Sequence, residues 1–443
     1  MLRVSYIFAY PVLLRVFILQ GRSWVLPLRF RVRVFFLKRF FLRGESRFRA
    51  HYQRLFRDSV GIIFCILSIL VVLISAAATA GRRKSRVTVN FYVSLITLLF
   101  LFSTNNLISY FLLFELSLVP LYFLIAFWRG QYERVLSNYY FILFSVLTSV
   151  PLFLIVCELF NERCLEYSSL SLLLPSRYQV TGLWIMFGVL LAFIAKLPVY
   201  GLHSWLPKAH VDAPVRGSIV LARMLLKLRG YGVIRLILGF SSNVSLLLIF
   251  GIWGYLVTAV ICIRLVDYKV VVAYSSVSHM SIAFSGLVSY IMWRFTGAFL
   301  IIIRHGVVSP LMFYIGNLWY ERVGTRGIGN MKRSKIWFGI SALFLLTFIF
   351  NIRFPPFINF FAEVSLFYSI TSAYSVCAFL AFLGFCFSGI CWLNIFVIIF
   401  HSKKIEGVSN YLALSELSFR RVLVLFFLLF SARLSMLCKF RLS

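Results

Sequence analysis

Acidic residues are scarce in this chain of 443 residues: 13 Asp and Glu face 45 Lys and Arg, a formal net charge of +32. Charge of either sign is also rare, at 13% of the residues, whereas 61% are hydrophobic. That balance is too apolar for a soluble globular domain, in which about a quarter of the residues are charged. The composition therefore indicates an integral membrane protein.

Sequence patterns that bind redox groups are missing as well. The eight cysteines lie mostly in or beside apolar runs, with no CxxC pair and no His/Cys ligand spacing. We interpret them as small hydrophobic residues, and not as disulfide or metal ligands. There is also no GxGxxG loop after a strand and no pair of histidines placed for haem. We therefore expect this chain to bind no NADH, flavin, iron–sulfur cluster, haem or metal ion.

Long apolar runs recur along the sequence and are long enough to span a bilayer as helices. Backbone groups in lipid must be bonded internally, and the runs lack the alternating pattern of an outer-membrane barrel. With one or two further spans in 1–57, they predict an all-α polytopic bundle of about 13–14 transmembrane helices. The predicted spans are 59–80, 87–106, 108–128, 136–157, 180–198, 213–235, 244–264, 270–290, 295–318, 336–352, 356–374, 377–401 and 411–432.

The excess of positive charge fits short loops and helix ends of a membrane protein better than a nucleic-acid surface. Clusters such as 82–84 and 403–404 follow this pattern, although basic residues on both sides of most spans leave the orientation open. The arginine-rich N-terminus resembles a transit peptide in charge, but 4–20 is nearly continuously apolar. We therefore predict membrane segments there, so a mitochondrial protein of this sequence would be made inside the organelle.

Three charged residues accompany interruptions of the apolar runs. Glu115 precedes Pro120, Lys196 precedes Pro198 and Gly201, and Glu363 follows two prolines. Paired interrupted helices of this kind are typical of transporters built from inverted repeats, with sites near the bilayer midplane. The pattern predicts an inverted-repeat transporter fold with discontinuous helices.

Ionisable residues at membrane depth are costly and usually functional. Glu115 is the only charge between Arg86 and Arg129, and Lys227 lies inside an apolar segment. Lys196 can be deprotonated by desolvation or held charged by Glu115, which makes it a plausible proton carrier. The alternative is that Glu115 and Lys196 are interfacial charges at helix ends.

His279, His305 and Glu363 extend this set of candidates. Histidine titrates nearest neutral pH and suits a proton relay, and Glu363 is the single charge between Arg353 and Lys403. A lone membrane histidine can equally be a donor between helices, and that alternative stays open for each of the two.

The segment HSWLPKAHVD contains His203, Lys208, His210 and Asp212. It has two prolines and no further carboxylate, so we interpret it as a cap with Trp205 at the membrane interface, in preference to a metal site.

Several motifs together resemble a known family. They are KLPVYGLHSWLPKAHVDAPVRGSIVLARMLLKLRGYG, LLFELSLVPLYFLI, DYKVVVAYSSVSHM, IIIRHGVVSPLMFYIGNLWYERVGTR and FPPFINFFAEVSL. They resemble, in order and over about 58–400, the chain 4 family of mitochondrial NADH–ubiquinone oxidoreductase, whose members are antiporter-like membrane subunits with 14 helices, two of them discontinuous. The resemblance implies proton translocation through Glu115, Lys196, Lys227, His279, His305 and Glu363.

In that reading Glu115 tunes Lys196, Lys227 passes protons along, and Glu363 marks the exit or the link to the next subunit. The resemblance also implies the inner mitochondrial membrane and partnership with other membrane subunits of respiratory complex I and with lipids. NADH, FMN, iron–sulfur clusters and ubiquinone would lie elsewhere in the complex. A subunit of a multisubunit cation/proton antiporter is the alternative, and a structural spacer with relic charges is a further one.

The matching part, 58–402, forms the predicted proton-translocating domain, flanked by membrane segments in 1–57 and a C-terminal helix and tail in 403–443. Within it the family has small residues where this sequence has Arg216, Arg223, Arg229 and Arg304. Each arginine at the bilayer centre costs roughly 2.5–3.5 kcal/mol on insertion scales. Either these arginines reshape the electrostatics of the channel, or their codons are read as a small residue in the organelle.

Overall fold

The computed structural model describes twelve stretches of the chain and the single residue 188. All of them belong to one compact unit, Ser59–Val422. The predicted spans in 1–57 and at 411–432, and most of the span at 180–198, lie outside the described residues. The described stretches are 59–77, 85–104, 106–127, 134–161, 192–194, 196–213, 215–237, 245–288, 292–331, 338–353, 358–371 and 375–401, with 188.

The described stretches are helical, and the predicted spans within them are confirmed as helices. Six helical segments of the described part are long and apolar enough to cross a membrane. The helices, which we number in chain order, are α1 Ser59–Ala77, α2 Ser85–Ser103, α3 Leu107–Leu116, α4 Leu118–Phe127, α5 Arg134–Asn161, α6 Trp205–Asp212, α7 Val215–Ile237, α8 Ser245–Arg264, α9 Tyr268–Val288, α10 Met292–Val323, α11 Phe338–Ile352, α12 Ile358–Thr371 and α13 Ser375–His401.

Helix α9 occupies the centre of the bundle. In the apolar 18-residue stretch of α9, 89% of the residues are buried inside the protein, against 33% in the corresponding stretch of α13. A helix that is apolar on all sides must be enclosed by other helices or by lipid. Helices α8 and α10 pack on α9, and α7 and α12 pack on α10 in turn. Helix α13 therefore presents most of its apolar surface outward, to lipid or to a neighbouring subunit.

Serine hydroxyls inside α9 are satisfied within the helix itself. Ser275, Ser276 and Ser278 each donate a hydrogen bond to the backbone carbonyl three residues earlier, at 2.6–2.9 Å. In the bilayer interior this local bonding avoids unsatisfied donors. The central helix can therefore carry polar side chains without requiring a polar partner for each.

Two of the three predicted interruptions lie beside the charged residues. Ser117, two residues after Glu115, lies between α3 and α4 in a helical conformation, with its N–H bonded to the carbonyl of Leu113. The helix that holds Lys196 gives way to turns, where Gly201 has a φ of +99°. Helix α11 ends at Ile352, and Arg353 after it has a φ of +70°. The structure therefore confirms an interruption beside Lys196 and one shortly before Glu363, whereas the apolar helical run that contains Glu115 continues through Ser117.

Candidate functional site: a buried line of titratable side chains

An ion pair joins the first two candidates. Glu115 lies in the last turn of α3, and its Oε1 is 2.6 Å from Nζ of Lys196. The Lys196 side chain is 2% exposed and that of Glu115 is 26% exposed, so the lysine is enclosed by protein while the glutamate is partly accessible from outside. The ammonium group also lies 3.8 Å from the centre of the Phe114 ring, which favours the cation. Both contacts stabilise the charged form of a lysine that burial alone would neutralise.

A second contact joins Lys227 and His305 across the α7–α10 interface. Nζ of Lys227 lies 3.3 Å from Nδ1 of His305, and the two residues are 1% and 2% exposed. At this distance one proton can be shared between an amine and an imidazole. The pair is therefore a buried proton donor and acceptor in direct contact.

His279 on α9 connects His305 with Glu363. The two imidazole centres are 6.2 Å apart, and Nδ1 of His279 lies 4.0 Å from Oε1 of Glu363, which is 1% exposed. Nε2 of His279 lies 3.4 Å from Oδ1 of Asn351. Sequence reasoning missed Asn351, although it is a polar residue at the end of an apolar run directly before the interruption at Arg353.

The structure therefore brings all six predicted residues into two groups. The first holds Glu115 and Lys196; the second holds Lys227, His305, His279 and Glu363. Arg229 is near enough to Lys196 and Glu115 for its charge to act on both, and it lies two residues from Lys227 on α7. Helix α7 thus runs between the two groups.

Arg304 and Arg229, at positions where the family has small residues, differ in their surroundings, and Arg353 is a further buried arginine beside the site. Nη2 of Arg304 is 3.0 Å from Nε2 of His279, and Nε of Arg353 is 2.7 Å from Oε1 of Glu363. The Arg229 guanidinium lies over the Trp205 ring, 4.7 Å from its centre. The side chains of Arg216 and Arg223 lie outside the described part of the chain.

The segment HSWLPKAHVD was predicted to be a capping loop with Trp205 at the membrane interface, but most of it is helical and Trp205 is buried among protein side chains. Its residues form α6, in which Trp205 is 2% exposed and His210 is 0% exposed. The His210 ring stacks on Phe313 at 4.8 Å, and Lys269 donates hydrogen bonds to the carbonyls of Val211 and Ala213. These contacts with α9 and α10 hold the segment inside the bundle, whereas Lys208 remains exposed.

His210 is a further buried titratable group that sequence reasoning had assigned to the cap. It lies close enough to Lys227 and Lys269 for their positive charges to act on its imidazole. Within the described residues, no group of three or more His, Cys, Asp or Glu side chains is placed to hold a metal ion.

Comparisons with known proteins find relatives of this chain. The model of the NADH:quinone oxidoreductase/Mrp antiporter transmembrane family matches residues 104–391. NADH-ubiquinone oxidoreductase chain 4 of Branchiostoma floridae is 38% identical over 272 residues, and the chain spans 59% of the length of that relative. The chain 4 protein of Ceratitis capitata is 34% identical over 369 residues, or 80% of either chain.

Solved structures show the same fold. A chain of respiratory complex I from Thermus thermophilus with bound NADH matches with a TM-score of 0.72 at 26% identity, covering 84% of this chain and 79% of that one. A chain of the Mrp complex from Dietzia sp. matches with a TM-score of 0.69 at 17% identity, covering 79% of this chain and 67% of that one. At that identity the second match supports the fold alone.

Proposed function

We infer the function of the chain from its family. The chain belongs to the NADH:quinone oxidoreductase/Mrp antiporter family and, within that family, to the NADH–ubiquinone oxidoreductase chain 4 proteins. We propose that it is a proton-translocating membrane-arm subunit of respiratory complex I. Electron transfer from NADH to ubiquinone takes place in other subunits, which hold the FMN and iron–sulfur clusters, and this chain carries no redox centre. It spans the inner mitochondrial membrane many times, is encoded in the organelle and adjoins other antiporter-like subunits and lipid.

The observation that carries the proposal is the contact between Lys227 and His305. Proton transfer requires a donor and an acceptor within hydrogen-bond distance, and these two side chains are 3.3 Å apart and almost fully buried. When Nζ of Lys227 gives its proton to Nδ1 of His305, a neutral amine and an imidazolium result, and no charge is created. A proton therefore moves between the two side chains without any net charge being added to the apolar bundle.

The flanking groups supply the two ends of this path. Glu115 keeps Lys196 charged through its ion pair, and loss of that pair makes Lys196 a proton donor toward α7. His279 receives the proton from His305 and Glu363 passes it to the exit or to the next subunit. Water molecules between the groups bridge the distances that exceed a hydrogen bond.

Replacement of Lys227 by methionine tests this function. Methionine keeps the length of the side chain and removes the titratable amine, so complexes that contain Lys227→Met should oxidise NADH with fewer protons translocated per electron. Lys208→Met is the matched control, because Lys208 is exposed and lies over the Tyr140 ring. Assembled complexes in liposomes give both quantities, and unchanged proton translocation in Lys227→Met would support the spacer reading instead.

A further inference from the structure

Gly306 directly follows His305 on α10 and faces the side chain of Lys227. A Cβ atom built on Gly306 would lie 2.8 Å from Cε of Lys227 and 3.1 and 3.3 Å from the two δ-methyl groups of Leu67. The first distance is shorter than real Cβ contacts allow, so one of the groups would have to move. All three neighbouring atoms belong to the ends of side chains.

Gly306 is distinguished from other glycines of the described helices by the side chain that it faces. An added Cβ at Gly230 or Gly232 would also meet side-chain atoms, but the nearest belong to Ile302 and Phe193, which do not titrate. Other glycines bring helix backbones together. At Gly297 an added Cβ would meet the backbone carbonyl oxygen of Ala362 at 2.8 Å, and at Gly251 that of Ser281 at 2.9 Å. Those contacts are typical of close helix packing in membranes. At Gly306 the nearest atom is the carbon that carries the amine of Lys227, whose nitrogen contacts the imidazole of the preceding residue.

We propose that Gly306 is a positioning residue for proton transfer: it leaves the space in which Lys227 reaches Nδ1 of His305. Glycine in a helix interior costs about 0.5–1 kcal/mol relative to alanine, so a reason other than helix stability must account for it. A methyl group at this position displaces Cε and moves Nζ away from His305. The proposal rests on the function proposed above for Lys227.

The test replaces Gly306 by alanine and compares it with Gly389→Ala on α13, where an added Cβ would meet no atom within 4 Å. Because lysine and leucine ends can shift, Gly306→Ala complexes should assemble as the control does. Proton translocation per NADH oxidised should fall as far as in Lys227→Met, with an altered dependence on pH. Gly389→Ala should behave as the unaltered protein.

A double variant separates this proposal from the function on which it rests. In the Lys227→Met background, Gly306→Ala should cause no further loss, because it acts through an amine that is no longer there. If Lys227→Met alone has no effect, the proposed function fails. If Lys227→Met lowers translocation but Gly306→Ala does not, or if Gly306→Ala lowers the amount of assembled subunit, the proposal for Gly306 is overturned.

Two of the arginines carry a second, independent inference. Of the described non-glycine residues, Arg353 is the one with a positive φ, at +70°, a conformation that it shares with Gly201 and Gly324. Only glycine adopts that region without strain. Although Nε of Arg353 is close to Glu363, neither that nitrogen nor either carboxylate oxygen has a hydrogen bond of acceptable geometry among the described residues.

Arg229 is in an unfavourable environment for another reason. It is 1% exposed, and its Nε, Nη1 and Nη2 atoms have no hydrogen-bond partner within the described part of the chain. A buried guanidinium without partners costs several kcal/mol, and here it also lies near the like charge of Lys196. An aromatic face such as that of Trp205 offsets only about 2 kcal/mol.

From these observations we infer that the organelle reads the codons at positions 229 and 353 as a small residue, glycine at 353. Peptide mass spectrometry of the purified complex tests this. Trypsin should not cleave after position 229 or 353, whereas it should cleave after Arg264, which is exposed at the end of α8. Peptides that carry the mass of arginine at 229 and 353 would overturn the inference.

Discussion

At the scale of single residues, the chemistry of each buried lysine depends on the side chain that it contacts. Lys196 is almost fully buried and has a carboxylate 2.6 Å away, while Lys227 has an imidazole at 3.3 Å. The first partner stabilises the ammonium form by its charge, and the second can take the proton. Similar side chains thus acquire different chemistry from their surroundings.

The ion pair makes a prediction for Glu115→Gln, which keeps the shape of the side chain and removes its charge. Breaking a fully buried pair costs roughly 3–5 kcal/mol; since a quarter of the Glu115 side chain is exposed, about 1–2 kcal/mol is expected here. Lys196 should then lose its proton more readily, and proton translocation should fall in assembled complexes. Glu321→Gln, at an exposed glutamate, is the control, and equal translocation by both variants would contradict the assigned role of Glu115.

The candidate residues themselves were predictable because ionisable groups are conspicuous in apolar sequence. Glu115, Lys196, Lys227, His279, His305 and Glu363 could each be named from their positions in the spans. Asn351 and His210 could not be recognised, since an amide near a helix end and a histidine in a proline-containing loop are common without function. Only contacts made across helices distinguish them.

At the scale of helices, interrupted and continuous helices both contribute to the site. The turn through Gly201 begins within a few residues of Lys196, so that this side chain lies beside backbone groups that are free of the regular helical hydrogen bonds. The interior of α9, in contrast, is continuous and satisfies its serines locally. An interrupted helix supplies Lys196, while the continuous helices α7, α9 and α10 supply Lys227, His279 and His305.

Gly201→Ala tests the importance of one interruption. The φ of +99° strains an alanine by about 1 kcal/mol or more, although an added Cβ meets no atom within 4 Å. The unfolding temperature of the complex should fall, and proton translocation should fall with it, because the turn sets the position of Lys196. Gly324→Ala carries the same kind of strain at a φ of +77° outside the site. It should lower stability but preserve translocation, and equal translocation in both variants would show that the turn is only structural.

At the scale of the whole molecule, the buried line runs through a bundle whose outer helices are apolar on their exposed faces. Val376, Phe379 and Phe382 on α13 are 71%, 62% and 55% exposed, as expected for a surface covered by lipid or by another membrane subunit. The fold is shared with a chain of the Mrp complex, so the architecture alone does not select the respiratory function.

The partner complex distinguishes these two functions. A respiratory subunit should co-purify from mitochondrial membranes with NADH:ubiquinone reductase activity that is coupled to proton translocation. An antiporter subunit should instead associate only with other antiporter subunits, and that result would contradict the proposed function. Sequence identity of 34–38% to chain 4 relatives supports the first outcome.

The sequence by itself determined the membrane class, the helical spans and the six candidate residues, because burial in lipid imposes length, internal hydrogen bonding and scarcity of charge on each segment separately. The tertiary structure decided which candidates meet. It placed Lys196 with Glu115, Lys227 with His305, and His279 between His305 and Glu363; it also placed α6 inside the bundle and left the guanidinium of Arg229 without hydrogen bonds in the described structure. These outcomes depend on how helices distant in sequence pack together, which the pattern of any single segment does not contain.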